Sequence, residues 1–171
     1  MDILTKIKQA NLVGRGGASF PTALKWEAVK QADSLAKYVD INAAEGEPGV
    51  KKDGYILEHQ ADRVIDGARL AVEYLGATRC YLFINPKYYE AYRPRIMKAV
   101  KAAKLEKKFG FFVKPHQAGY IGGEETAILN ALEGKKIEPR LKPPFPTING
   151  LWDEPTLINN VETLYNVSLV D

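Results

Sequence analysis

With 171 residues, 46% hydrophobic and 26% charged, the chain has the make-up of one globular domain long enough to bury a sizeable core. Its net charge of +3, from 24 basic and 21 acidic residues, is too small to point to nucleic-acid binding. The start Met1-Asp2-Ile3-Leu4 carries no secretory pattern, and no apolar stretch approaches the roughly 20 residues of a membrane span, so a cytoplasmic location without membrane insertion is expected.

Helix-like and strand-like patterns alternate along the chain. Ile3 to Ala10 reads as a short amphipathic helix, and Thr22 to Gln31 as a second, opened by Pro21. Tyr38 to Asn42 is a short apolar strand that leads into an acidic loop. Apolar residues at helical spacing from Ala61 to Leu75 predict a helix closed by Gly76. A strand follows from Arg79 to Asn85, then a helix from Lys87 to Ala103, then a strand from Phe109 to Val113. Cys80, the only cysteine, falls inside the second strand and reads as an inert core thiol; alone it supports neither an internal disulfide nor an iron–sulfur cluster. Lys98, Lys101, Lys104 and Lys108 fall on one side of the helix before Phe109, as a solvated face or as a docking surface for an acidic partner. Glu124 or Glu125 opens a helix that ends at Gly134, a proline-rich crossing spans Pro139 to Pro146, and a last helix covers Val161 to Val167. Strands separated by helices predict an α/β, Rossmann-like, three-layer domain, with a mostly parallel sheet flanked by helices. Ligands of such sheets sit beyond the carboxyl ends of the strands, here the loops after Ile41 and after Val113.

Four glycine- or proline-marked segments end against helical patterns: Gly14 to Trp26, Asn42 to Gly49, Gly119 to Thr126 and Pro155 to Thr163. Clustered glycines bring backbone N–H groups close to a ligand, and a helix start adds unpaired donors and a positive dipole end. Several such junctions in one domain point to a large phosphorylated ligand, a nucleotide. Gly14-Arg15-Gly16-Gly17 lacks the G-x-G-x-x-G spacing and does not follow a strand, so on its own it reads equally as a loop with a surface lysine nearby. Phe20 can lie against a flat ring, and Lys25 reaches toward a phosphate or ribose. Glu45 and Glu47 are either a solvated acidic turn or carboxylates directed at ribose hydroxyls or heterocycle donors. Capping explains one of Glu124 and Glu125, leaving the other to ligand or water, and one of Asn159 and Asn160 can cap the last helix while the other is free for a ligand. His59 and His116 have no metal-ligand spacing to the acidic loop, and no nucleophile–base pattern is present, so any enzyme chemistry must come from a cofactor.

These motifs, together with Leu132-Glu133-Gly134-Lys135 and Pro139-Arg140-Leu141-Lys142-Pro143-Pro144-Phe145-Pro146, resemble in order the 51 kDa flavoprotein subunit of NADH:quinone oxidoreductase, complex I. NAD-linked hydrogenase and formate dehydrogenase subunits share the pattern. The resemblance covers the whole chain but only that family's central FMN-binding domain, so residues 1–171 are expected to form one FMN- and NADH-binding domain, without the family's ubiquitin-like and iron–sulfur helical domains and without a cluster of its own. It implies that FMN contacts Gly14, Arg15, Gly16, Gly17, Lys25, Asn42, Glu45, Gly123, Glu124, Ile158, Asn159 and Asn160. It implies that NADH contacts Gly17, Phe20, Lys25, Glu47, Tyr120, Glu125 and Phe145, with its adenine near Phe20 and Phe145. No residue is implied as a protein acid or base, and no metal is implied. The expected reaction is hydride transfer from NADH to FMN, with electrons passing to an iron–sulfur partner subunit or a diffusible acceptor. The alternatives are a non-catalytic flavin- or nucleotide-binding subunit and a flavoprotein with another donor or acceptor. The chain departs from the family at Ser19 (usually glycine), Ala28 (an aromatic), Ala44 (an aspartate) and Gly122 (a cysteine). The resemblance then implies a crowded nucleotide cavity, weaker adenine stacking, a missing hydrogen bond to flavin and an altered flavin environment.

Overall fold

Short apolar runs set the centre of the molecule. β1 (Tyr38–Ala43), β2 (Arg79–Ile84), β3 (Phe109–Val113) and β4 (Thr156–Asn160) form one all-parallel sheet in the order β3-β2-β1-β4. The computed structural model describes residues 1–171. Around the sheet lie α1 (Ile3–Gln9), α2 (Thr22–Gln31), α3 (Lys52–Leu75), α4 (Pro86–Ala102), α5 (Glu125–Leu132) and α6 (Val161–Val170). In β1 and β2, alternate residues Val39, Ile41, Cys80 and Leu82 are fully buried in the main core with Val64, Ile65 and Ala68 of α3. The opposite face is thinner: Phe83 packs with Ile128 and Ala131 of α5, and Ile158 with Leu129 and Leu151.

α3 and α6 approach so closely that a Cβ built on Gly67 would lie 2.0 Å from the Leu164 carbonyl oxygen. Glycine is required there because no side-chain atom fits. This contact seats the N-terminus of α6 beside β1. After β3 the chain crosses back over α5 and lays β4 on the far side of β1, so that the carboxyl ends of β1 and β4 flank a topological switch point. Open α/β sheets bind ligands at such a crevice.

The expected fold class holds, with three differences. The sequence reading has three strands, whereas β4 is a fourth. It runs only from Thr156 to Asn160, buried but ending in two asparagines, a residue type depleted in strands. Helix α3 begins at Lys52 rather than Ala61; the expected start coincides with a kink at Gln60, whose φ of −137° interrupts the helix. The lysine stripe is broken, since α4 ends at Ala102, Lys104 adopts a left-handed φ of 55°, and the Lys108 ammonium donates to the Ala77 carbonyl.

Candidate nucleotide site

At the switch point a cavity of about 510 Å³ opens between the Gly14–Phe20 loop, the end of β4, the start of α5 and the proline-rich crossing. Its size suits a nucleotide-class ligand. The Gly14–Phe20 loop is closed by a bond from the Gly14 N–H to the Phe20 carbonyl (2.8 Å), and it leans on α6 through the Arg15 N–H, which donates to the Thr163 hydroxyl (2.9 Å). A Cβ on Gly16 would sit 3.4 Å from the Asn160 Cβ, so glycine keeps the backbone close to the α6 N-terminus. Thr22, at the first turn of α2, borders the cavity, and its buried hydroxyl has no hydrogen-bond partner.

Charges alternate across the cavity wall. The Lys25 ammonium donates to Glu125 Oε2 (2.9 Å) and to the Ile158 carbonyl (3.1 Å). Lys142, from the proline-rich crossing, donates to Glu124 Oε1 (2.9 Å) and Glu125 Oε1 (3.1 Å). Glu124 also caps α5, its Oε2 accepting from the N–H groups of Thr126 and Ala127 at 2.8 and 2.9 Å. Burial works to raise the pKa of both carboxyls, but Thr126 and Lys142 at Glu124, and Lys25 and Lys142 at Glu125, outweigh it and hold both below the ordinary carboxylate range.

Of the residues expected to contact FMN, Gly14, Gly16, Lys25, Asn42, Gly123, Glu124, Ile158, Asn159 and Asn160 border this cavity. Phe20, Lys25, Glu125 and Phe145 do so among those expected to contact NADH. Arg15, Gly17, Glu45, Glu47 and Tyr120 do not. Glu45 caps α3 instead: its carboxylate accepts from the N–H groups of Asp53 (2.8 Å) and Gly54 (3.2 Å) and from the Tyr88 hydroxyl. Glu47 accepts from the Tyr120 hydroxyl (2.6 Å) on the exposed side of the same loop.

Nor is either asparagine amide left free. Asn160 caps α6 by accepting from the Glu162 N–H (3.0 Å); it also accepts from the Lys52 ammonium (2.8 Å) and donates to Asp53 Oδ2 (2.8 Å). Asn159 accepts from the Trp26 indole N–H (2.9 Å), anchoring α2 to β4. Asn42 joins the end of β1 to the glycine turn, its amide donating to the Gly123 carbonyl (3.0 Å). Sequence reasoning misses Lys142, Thr22 and Thr163 as cavity residues. Lys142 stands inside a motif that reads as a connector, and Thr163 lies beyond the Asn-Asn pair, inside the last helix.

The four departures take different positions. Ser19 borders the cavity with a left-handed φ of 51°, a conformation that favours glycine. Ala28 also borders it. Ala44 is buried with Phe83, Ile128 and Ala131 rather than facing the cavity. A Cβ at Gly122 would lie 2.5 Å from the Ala118 Cβ, so this backbone has no room for a cysteine there.

A wider depression of about 770 Å³ lies between the C-terminal halves of α3 and α4. None of the motif residues borders it, and Arg69 on its wall is paired with Asp66 and Glu73. The motif residues therefore gather at the smaller cavity.

Fold and cavity define a Rossmann-like nucleotide-binding domain. Residues 7–169 match the family model described as the Nuo51 FMN-binding domain, and the chain belongs to that family. It is 44% identical over 174 residues to an NADH-quinone oxidoreductase subunit of Rhizobium meliloti (strain 1021), covering 95% of this chain and 41% of that protein. It is 41% identical over 180 residues to the corresponding NADH-quinone oxidoreductase subunit of Escherichia coli (strain K12), covering 99% and 40%. Among solved structures it is similar to the NAD+-reducing [NiFe]-hydrogenase in the H2-reduced state, with a TM-score of 0.89, 34% identity, and coverage of 98% of this chain and 30% of that one. The chain thus spans about two fifths of the curated relatives it matches. No helix is long and apolar enough to cross a membrane.

Proposed function

We propose that this chain is an NADH dehydrogenase-type flavin domain that holds FMN, seats NADH beside it, and passes electrons to an iron–sulfur subunit or a diffusible acceptor. On this reading residues 1–171 are one FMN- and NADH-binding unit. The observation that carries it is the cavity at the β1–β4 switch point, bordered by Gly14, Gly16 and Gly123 and flanked by the α6 N-terminus. The residues present fit FMN: glycines at three points of the wall, the ammonium donors of Lys25 and Lys142, and the unpartnered Thr22 hydroxyl suit a phosphorylated, hydroxyl-rich ligand.

When bound, FMN supplies the hydride-accepting chemistry that no side chain here provides. Gly14, Gly16, Gly123 and Asn42 shape and hold the wall. Lys25 and Lys142 neutralise Glu124 and Glu125 and hold them along the wall. Phe20 and Phe145, both half-exposed at the rim, offer flat apolar surface to a base. Arg15, Gly17, Glu45, Glu47 and Tyr120 act around the cavity: Glu45 and the Glu47–Tyr120 pair fix the acidic loop. Binding of FMN by the full chain, followed by quenching of flavin fluorescence, tests the reading. Saturable one-to-one quenching supports it, and unquenched flavin at excess protein overturns it.

A further inference from the structure

β3 ends the sheet and pairs with β2 on one side only. The Lys108 carbonyl accepts from the Cys80 N–H (2.9 Å), and the Lys114 N–H donates to the Ile84 carbonyl (2.8 Å). Even-numbered residues therefore turn their backbone groups toward β2, and odd-numbered residues turn theirs outward. The Leu105 carbonyl takes the Phe109 N–H (2.9 Å), but the Phe109 carbonyl and the N–H and C=O groups of Phe111 and Val113 have no partner on that side. Val113 is 38% exposed, and the other four residues of the strand are only half-buried. The edge is nevertheless held firmly from one face, where the Phe111 ring meets Tyr89 of α4 edge-on at 5.1 Å.

An open edge is a template for a further strand, and local charge decides which strand it accepts. Residues 79–108 hold nine basic and two acidic residues, a net +7, whereas the remaining 15 basic and 19 acidic residues give −4. Lys98 and Lys101 on α4, and Lys107 just before β3, are exposed and meet no carboxylate, although Lys25, Lys52 and Lys142 elsewhere all do. Lys104 and Lys108 instead border the depression beside α3. A second copy laid on this edge would bring like charges together, which is how lysines keep edges from pairing with themselves. We propose that the outer edge of β3 takes an extended acidic segment of a partner protein as an added strand. Main-chain bonds to Phe111 and Val113 form the seat, and the lysines select carboxylate side chains and steer them in. No residue of β3 borders the nucleotide cavity, so this surface stands apart from the flavin reading.

The test uses the full chain and two short capped peptides, one alternating glutamate with valine and the other alternating lysine with valine. Fluorescence anisotropy should show saturable binding of the glutamate peptide and none of the lysine peptide. That binding should weaken between about 0.1 M and about 1 M salt, as the screening length falls from about 10 to about 3 Å. Amide hydrogen exchange should slow at Phe111 and Val113 when the glutamate peptide is bound. Val113→Pro removes one outward N–H, leaves the bonds to β2 in place, and should weaken binding roughly tenfold. Should that variant fail to fold, Lys101→Glu combined with Lys107→Glu replaces it and should weaken binding at low salt by at least as much. A glutamate peptide that does not bind, or that binds without slowing exchange at Phe111 and Val113, overturns the proposal. A folded Val113→Pro with wild-type affinity does so too. Self-association of the wild type that protects the same two amides assigns the edge to a second copy and equally overturns it.

Discussion

Asp40 sits in the middle of β1, fully buried, and neither carboxyl oxygen has a hydrogen-bond partner. Its neighbours in register are Tyr81 and Ile158, and no cation faces it. Burial therefore pushes its pKa from 3.8 to about 8, against the opposing pull of the nearby Phe83 backbone N–H. The folded protein keeps a proton here that the unfolded chain releases above about pH 4. Stability from this group is thus fully present below that value, falls as pH rises, and is lost once pH passes the folded value near 8. Each pH unit within that window costs about 1.4 kcal/mol, so the loss between about pH 5 and about pH 8 is roughly 3 to 4 kcal/mol, a large part of a typical domain's stability. Asp40→Asn matches the protonated acid in shape and cannot ionise. Urea unfolding of both proteins across that range should show wild-type stability falling relative to Asp40→Asn by that amount and levelling above about pH 8. Parallel stability curves for the two proteins refute the argument that Asp40 is folded as a neutral acid.

Other substitutions test the site's frame. Ser19→Gly relieves a left-handed conformation and should raise unfolding free energy by about 0.5 to 1 kcal/mol in denaturant titration, after the entropy glycine loses on folding; a clear fall contradicts this. Gly67→Ala forces a methyl into the Leu164 carbonyl and should cost about 3 kcal/mol or more while weakening nucleotide binding through displacement of α6; wild-type melting would disprove the tight contact. Lys142→Ala should cost no more than about 1 kcal/mol, since its ion pairs are partly exposed, yet raise the titration midpoints of Glu124 and Glu125 measured by carboxyl NMR.

Much of this architecture is legible in the chain because it rests on local signals. The alternation of helix and strand, the Gly76 cap with its φ of 70°, and the glycine loops beside helix starts all follow from spacing and residue type. β4 is not legible, because five residues, four of them buried and the last two asparagines, carry no strand period of their own; β1 makes them a strand. The capping role of Glu45 is hidden because its partners, the α3 amides and Tyr88, lie 8 to 43 residues away. Asn159 looks free in sequence because the indole that occupies it is 133 residues distant. Local chemistry announces that a polar group needs a partner, but only the fold decides whether that partner is protein or ligand.

The account turns on electrons passing between two nucleotides in one cavity. Mixing the FMN-loaded chain with NADH without oxygen, and following the flavin's visible absorbance, tests this most directly. Stoichiometric bleaching that returns on adding an electron acceptor is the predicted result. Tightly bound FMN that stays yellow in excess NADH would contradict the account and leave a flavin-binding domain without dehydrogenase chemistry.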